Sequence, residues 1–78
     1  MSGKSYLKAA REAIGKSDWE EAKRQANLAI DAGGDARYNG YVFLGLALDK
    51  SGALIESQTA YFSAIAMSDE NPLAIQVL

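Results

Sequence analysis

Two Gly-Lys-Ser triplets, Gly3-Lys4-Ser5 and Gly15-Lys16-Ser17, come closest to a chemical motif in this 78-residue chain. They match the tail of a phosphate-binding loop, where backbone N–H groups and a lysine cradle phosphate oxygens. That loop also needs a glycine five residues before its Gly-Lys pair. Ala10 stands there for the second triplet, and no residue stands there for the first. A helix stop accounts for Gly15 and a frayed end for Gly3, so phosphate binding is not expected. Two acid pairs, Glu20/Glu21 and Asp69/Glu70, are the remaining candidates for chemistry. General acid–base work needs a positioned partner as well as a carboxylate. Glu20/Glu21 falls in the first turn of an expected helix, where the helix dipole favours negative charge. Asp69/Glu70 falls in an expected loop. Neither pair has a visible catalytic partner.

The chain has no His and no Cys. That removes the usual acid–base residue at neutral pH, the commonest metal ligand, and all thiolate and disulfide chemistry. The expectation is a non-enzyme without cofactor or metal. Residues 1–37 hold seven basic and six acidic side chains, and residues 38–78 hold one and four. Neither half has the basic field that nucleic-acid binding requires. Tyr41 to Leu48 is the longest apolar run, far short of the roughly 20 residues of a membrane span. Met1-Ser2-Gly3-Lys4-Ser5 lacks the apolar stretch of a signal peptide, which fits an intracellular protein.

The elements that must position any binding surface are helices. Apolar residues are 49% of the chain, and fourteen residues are Ala, which favours helix and permits close helix approach. Tyr6, Ala9, Ala10, Ala13 and Ile14 form one helical stripe that fades at Gly15-Lys16-Ser17. Ser17-Asp18-Trp19-Glu20 fits a capping box and opens a second helix with Trp19, Ala22, Ala26, Ala29 and Ile30 on its apolar face. Gly33-Gly34 ends it. A third helix is predicted to begin between Asp35 and Asn39 and to run to about Lys50, where Ser51-Gly52 breaks it. A fourth carries Leu54, Ile55, Ser57, Tyr61, Ala64, Ile65 and Met67. Asp69-Glu70-Asn71-Pro72 reads as a loop, with Asn71 and Pro72 starting a fifth helix.

The second pair of helices repeats the first. A shift of 35 residues aligns Ala10 with Gly45, Trp19 with Leu54, Glu21 with Glu56, Ala29 with Ala64 and Ile30 with Ile65. A helix–turn–helix unit of this period marks a helical solenoid. Within it, Tyr41, Leu44-Gly45, Leu48, Gly52, Tyr61 and Ala64 resemble the consensus of the tetratricopeptide (TPR) family. Tyr6, Ala9-Ala10, Ala13, Trp19, Ala22, Ala26 and Ala29 match it in the first unit, and Ile75 and Leu78 open a truncated third. Ser57 replaces the motif's Ala, and Asp69 stands where a loop Pro is usual. The resemblance implies an all-α, TPR-like α-solenoid fragment in a single domain. Repeat one spans about 3–36, repeat two about 37–71, and the truncated third 72–78.

In TPR proteins the first helix of each unit lines a concave groove for a partner. The resemblance therefore implies a groove of Lys4, Leu7, Arg11, Ile14, Asn39, Val42, Leu46, Asp49 and Lys50, with Phe43 at its border. Leu7, Phe43, Leu73 and Val77 stand where carboxylate-clamping TPR domains need polar residues, which argues against a chaperone tail as ligand. The groove's apolar members take a partner segment or pack on further repeats. Leu73, Ile75, Val77 and Leu78 read as a repeat-stacking end through which the fragment self-associates.

Leu7 to Ile14, Asp18 to Ala22, Tyr41 to Ala47, Ala60 to Ile65 and Pro72 to Gln76 further resemble the N-terminal repeats of long TPR scaffolds of messenger RNA decay. This implies a cytoplasmic, and also nuclear, protein–protein scaffold. Its partners would be a helicase and a β-propeller subunit of a complex that delivers RNA to the exosome. The alternative is a generic adaptor or co-chaperone module binding a short peptide.

Overall fold

A computed structural model describes residues 2–70, and among these the architecture is all-α. Four helices follow one another: α1 (Gly3–Gly15), α2 (Trp19–Ala32), α3 (Asp35–Lys50) and α4 (Leu54–Glu70). They form two antiparallel hairpins, α1–α2 and α3–α4, as the repeat predicts. The stacking-end residues Leu73, Ile75, Val77 and Leu78, and the expected fifth helix, lie outside the described residues.

Ser2 caps α1, its hydroxyl accepting from the Ser5 N–H at 3.3 Å. At the far end the chain turns tightly. The Ser17 N–H donates to the Ile14 carbonyl and the Asp18 N–H to the Ala13 carbonyl, at 3.0 and 2.9 Å. This pair of bonds satisfies the last carbonyls of α1 and places the residue between them in the left-handed region. Ser17 occupies that place, with φ 60°. The capping box expected at Ser17 is therefore displaced by one residue. Asp18 is the N-cap of α2, its carboxylate accepting from the Glu21 N–H at 3.3 Å. Ser17 is taken by the end of the preceding helix and cannot also begin the next.

The same turn recurs 35 residues later, where Gly52 N–H bonds the Asp49 carbonyl and Ala53 N–H the Leu48 carbonyl. One boundary differs from the sequence reading. Asp69 and Glu70 belong to α4, because nothing before Pro72 in that stretch breaks a helix.

The core is built from small side chains. Ala10, Ala13, Ala22, Ala26, Ala29, Ala36, Ala47, Ala60 and Ala64 are buried, with Leu48 the largest aliphatic among them. Backbones consequently come close. A Cβ on Gly40 would lie 2.8 Å from Ile30 Cγ1 and 3.0 Å from the Ala26 carbonyl oxygen, so α3 seats directly on α2. A Cβ on Gly45 would lie 2.7 Å from the Tyr61 ring, which fills the gap between α3 and α4. Ser57 is buried there, and its hydroxyl donates to the Gly45 carbonyl at 2.9 Å. The Ser at the motif's Ala position is thus a satisfied polar group bridging the two helices. Helix α3 packs on α1, α2 and α4, whereas α4 packs on α3 alone among the described helices.

Candidate functional site

Stacking of the hairpins sets α1 beside α3, and a shallow open cleft of about 260 Å³ runs between them. Its lining is Lys4, Leu7, Lys8 and Arg11 from α1 and Asn39 and Phe43 from α3. Leu7 and Phe43 are half-buried, while Lys4, Lys8, Arg11 and Asn39 are exposed. The helical spacing explains the grouping: positions 4, 7, 8 and 11 recur at three and four residues on one face. The two ion pairs among the described residues, Lys23–Glu20 and Arg24–Glu21, involve none of the cleft's cations. Three unpaired positive charges therefore stand around an apolar floor, with the Asn39 amide opposite.

Of the groove residues expected from sequence, Leu7, Arg11 and Asn39 meet in this cleft, together with Lys4. Phe43, placed at the border, lines it. Ile14 instead packs against the buried cluster of Ala13, Ala22 and Ala47. Val42 and Leu46 are half-buried on α3 outside the cleft lining, and Asp49 and Lys50 are exposed at its C-terminal end. Asp49 acts toward α4: burial, and then the Asp49 charge, push the Tyr61 phenol above its ordinary pKa. Lys8 belongs to the lining, and the signal for it was its position four residues from Lys4 and three from Arg11.

The residues considered for chemistry are engaged otherwise. In Gly15-Lys16-Ser17, the Lys16 N–H bonds the Glu12 and Ala13 carbonyls and the Ser17 N–H bonds Ile14, so neither points to a phosphate. Glu20 pairs with Lys23 at 2.6 Å. Glu21 receives both Nε and Nη2 of Arg24 at 2.6 Å, and these hydrogen bonds hold its carboxyl below the ordinary pKa. Among the described residues, no cluster of three or more acidic side chains is placed to hold a metal ion, and no helix is long and apolar enough to cross a membrane.

Over 75 residues, 96% of the chain, the sequence is 39% identical to Superkiller protein 3 of Schizosaccharomyces pombe. The matched segment is 5% of that protein's length, so the chain corresponds to a small part of the relative. No protein-family model matches the chain, and no solved structure matches it significantly. Superkiller protein 3 contains TPR repeats, so the resemblance read in the sequence is borne out. An all-helical fold and similarity to such a protein fit a non-enzyme.

Proposed function

We propose, from the similarity to Superkiller protein 3, that this chain is part of a protein–protein interaction scaffold of a superkiller-type complex acting in exosome-dependent messenger RNA decay in the cytoplasm. In this reading the repeats carry no chemistry themselves. They hold partners, a helicase and a β-propeller subunit, while RNA is handled by those partners. The observation that supports a binding role is the α1–α3 cleft, where Lys4, Lys8 and Arg11 surround Leu7 and Phe43. Such a surface suits a protein segment with an apolar anchor flanked by carboxylates. The anchor gains from burial and the charges fix register and steer encounter.

The test is to use the chain as bait in an extract of its source organism and to identify what is retained. Recovery of a helicase and a β-propeller protein, lost on Lys8→Glu with Arg11→Glu, is the expected result. Recovery of chaperones would move the function to the adaptor reading. Retention unaffected by the double variant would place the interface away from the cleft.

A further inference from the structure

Three of the chain's eight cations, Lys4, Lys8 and Arg11, line the α1–α3 cleft, and no acid among the described residues does. Helices α1 and α3 run in the same sense there. Gly3 seats against Ala36, and Ala13 shares a buried cluster with Ala47. Two acids flank the cleft without lining it. Glu12 lines a separate hollow between α1 and α2, together with Lys16, Asp18 and Glu21. Asp35 opens α3 one turn before Asn39, which sets it at the level of Gly3. It can offset Lys4 at that end, but Lys8 and Arg11 lie about 10 Å or more further along the helix axis. The uncompensated charge of the cleft is therefore at Lys8 and Arg11.

The length of this row limits what can answer it. Lys4 to Arg11 is two turns of helix, about 10 Å. An extended segment covers that distance in about three residues, with alternate side chains pointing to the same side. Only about two side chains of such a segment reach the cleft. Leu7 and Phe43 on the floor require one of them to be apolar. The other must answer Lys8 and Arg11 together. A carboxylate brings one charge, whereas a phosphorylated side chain brings about −1.5 to −2 and three acceptor oxygens. Arg11 can take two of those oxygens as a fork, and Lys8 the third as a point charge.

The shape of the site also suits an extended segment better than a helix. Asn39, across from the cations, carries an amide that both donates and accepts. Only a non-helical backbone has N–H and C=O groups free to meet it. A helix about 10 Å across would ride above an open cleft of about 260 Å³. We propose that the cleft docks an extended segment of a partner protein carrying an apolar residue and a phosphoserine or phosphothreonine two positions apart. Phosphorylation of the partner then switches docking on. This rests on the cleft being the surface that holds a partner, and it adds which state of the partner is held. Recognition is by side chains, not by the backbone cradle that Gly3-Lys4-Ser5 lacks.

The probes are short glycine peptides with a leucine and a second residue two positions apart, in both orders, the second residue being serine, glutamate or phosphoserine. Amide shifts of the isotope-labelled 78-residue chain on titration report both affinity and place. The phosphoserine form is expected to bind about tenfold tighter than the glutamate form, with shifts centred on residues 4–11 and 39–43. Lys8→Gln with Arg11→Gln changes exposed side chains, so helicity should persist by circular dichroism while the phosphoserine preference is lost. Inorganic phosphate, and a phosphoserine peptide without the leucine, should bind about tenfold more weakly than the full probe. Equal affinity of the phosphoserine and glutamate forms at the cleft would overturn the switch and leave an acidic-segment site standing. Shifts centred elsewhere, or no binding by any peptide, would overturn the cleft as the partner surface as well. Inorganic phosphate binding as tightly as the phosphopeptide, or a single-stranded RNA of similar length binding more tightly, would also overturn the proposal.

Discussion

In the first hairpin the turn between helices places Ser17 at φ 60° and caps the second helix with Asp18; in the second hairpin the same two places hold Gly52, at φ 92°, and Ala53. Each turn therefore has one well-suited residue and one poor one. Ser17 carries a Cβ into a backbone region that favours glycine, while Ala53 begins α4 with no side-chain acceptor. The outer faces contrast as well. Helix α2 exposes Glu20, Arg24, Asn27 and Asp31, two of them in ion pairs, where α4 exposes Ile55, Thr59, Phe62 and Ala66. What the hairpins share is the buried side, Ala22 and Ala29 in one and Ser57 and Ala64 in the other. The repeat constrains the size of what lies between helices and leaves caps and outer faces free to vary.

The comparison presumes that the hairpins stand or fall together, and the joint between them is where it can be broken. Gly40→Leu would insert a side chain where even a Cβ crowds Ile30 and the α2 backbone. Overpacking of this kind costs about 3 kcal/mol or more when backbone blocks the way. Because a domain this small has little stability in reserve, helicity of both hairpins should be lost in one transition. Urea unfolding followed by circular dichroism reads it. A midpoint close to wild type, or loss of only half the helical signal, would show that the hairpins are independent.

Much of this arrangement was legible because helical periodicity and the 35-residue shift report on buried small residues. Ala10, Ala22, Ala29, Gly45 and Ala64 could be assigned to helix contacts from size and spacing alone. The capping residue could not, since Ser17 and Asp18 are both good caps, and the choice was made by hydrogen bonds that close the preceding helix. The groove was legible only in part. Periodicity identifies a face of α1 or α3, but which part of each face meets the other depends on how the hairpins cross, and Ile14 turned into the core. The exposed apolar side of α4 was present in the sequence as Glu20 facing Ile55 and Asn27 facing Phe62 across the shift. It stayed hidden because an apolar residue in a helix is read as buried until its neighbours show otherwise.

Exchanging the turn residues between the hairpins sharpens the contrast. Ala53→Asp gives α4 the cap that α2 has and should add about 1 kcal/mol. Ser17→Gly gives the first turn the residue of the second and should add about 0.5–1 kcal/mol, relief of the left-handed strain exceeding the added freedom of the unfolded chain. The reverse exchanges, Asp18→Ala and Gly52→Ser, should lose similar amounts. Thermal or urea midpoints of the four variants measure this directly. A destabilised Ser17→Gly would mean that the Ser17 side chain contributes more than its backbone conformation costs.

The smallest expected difference is electrostatic and belongs to the first hairpin alone. Both ion pairs among the described residues lie on α2, and Arg24 holds the Glu21 carboxyl below its ordinary pKa chiefly through its hydrogen bonds. With the folded pKa depressed, the unfolded chain binds protons more readily over the acid window, so stability from this pair rises with pH. It is fully present above the ordinary carboxylate range and is lost as pH falls through the lowered folded value. Arg24→Gln removes the cause. Melting temperatures of wild type and Arg24→Gln should therefore differ near neutral pH and converge on acidification, and 1 M salt should shrink the gap, because the pair is solvent-exposed. Parallel curves across the whole acid range would show that the Glu21–Arg24 contact does not persist in solution.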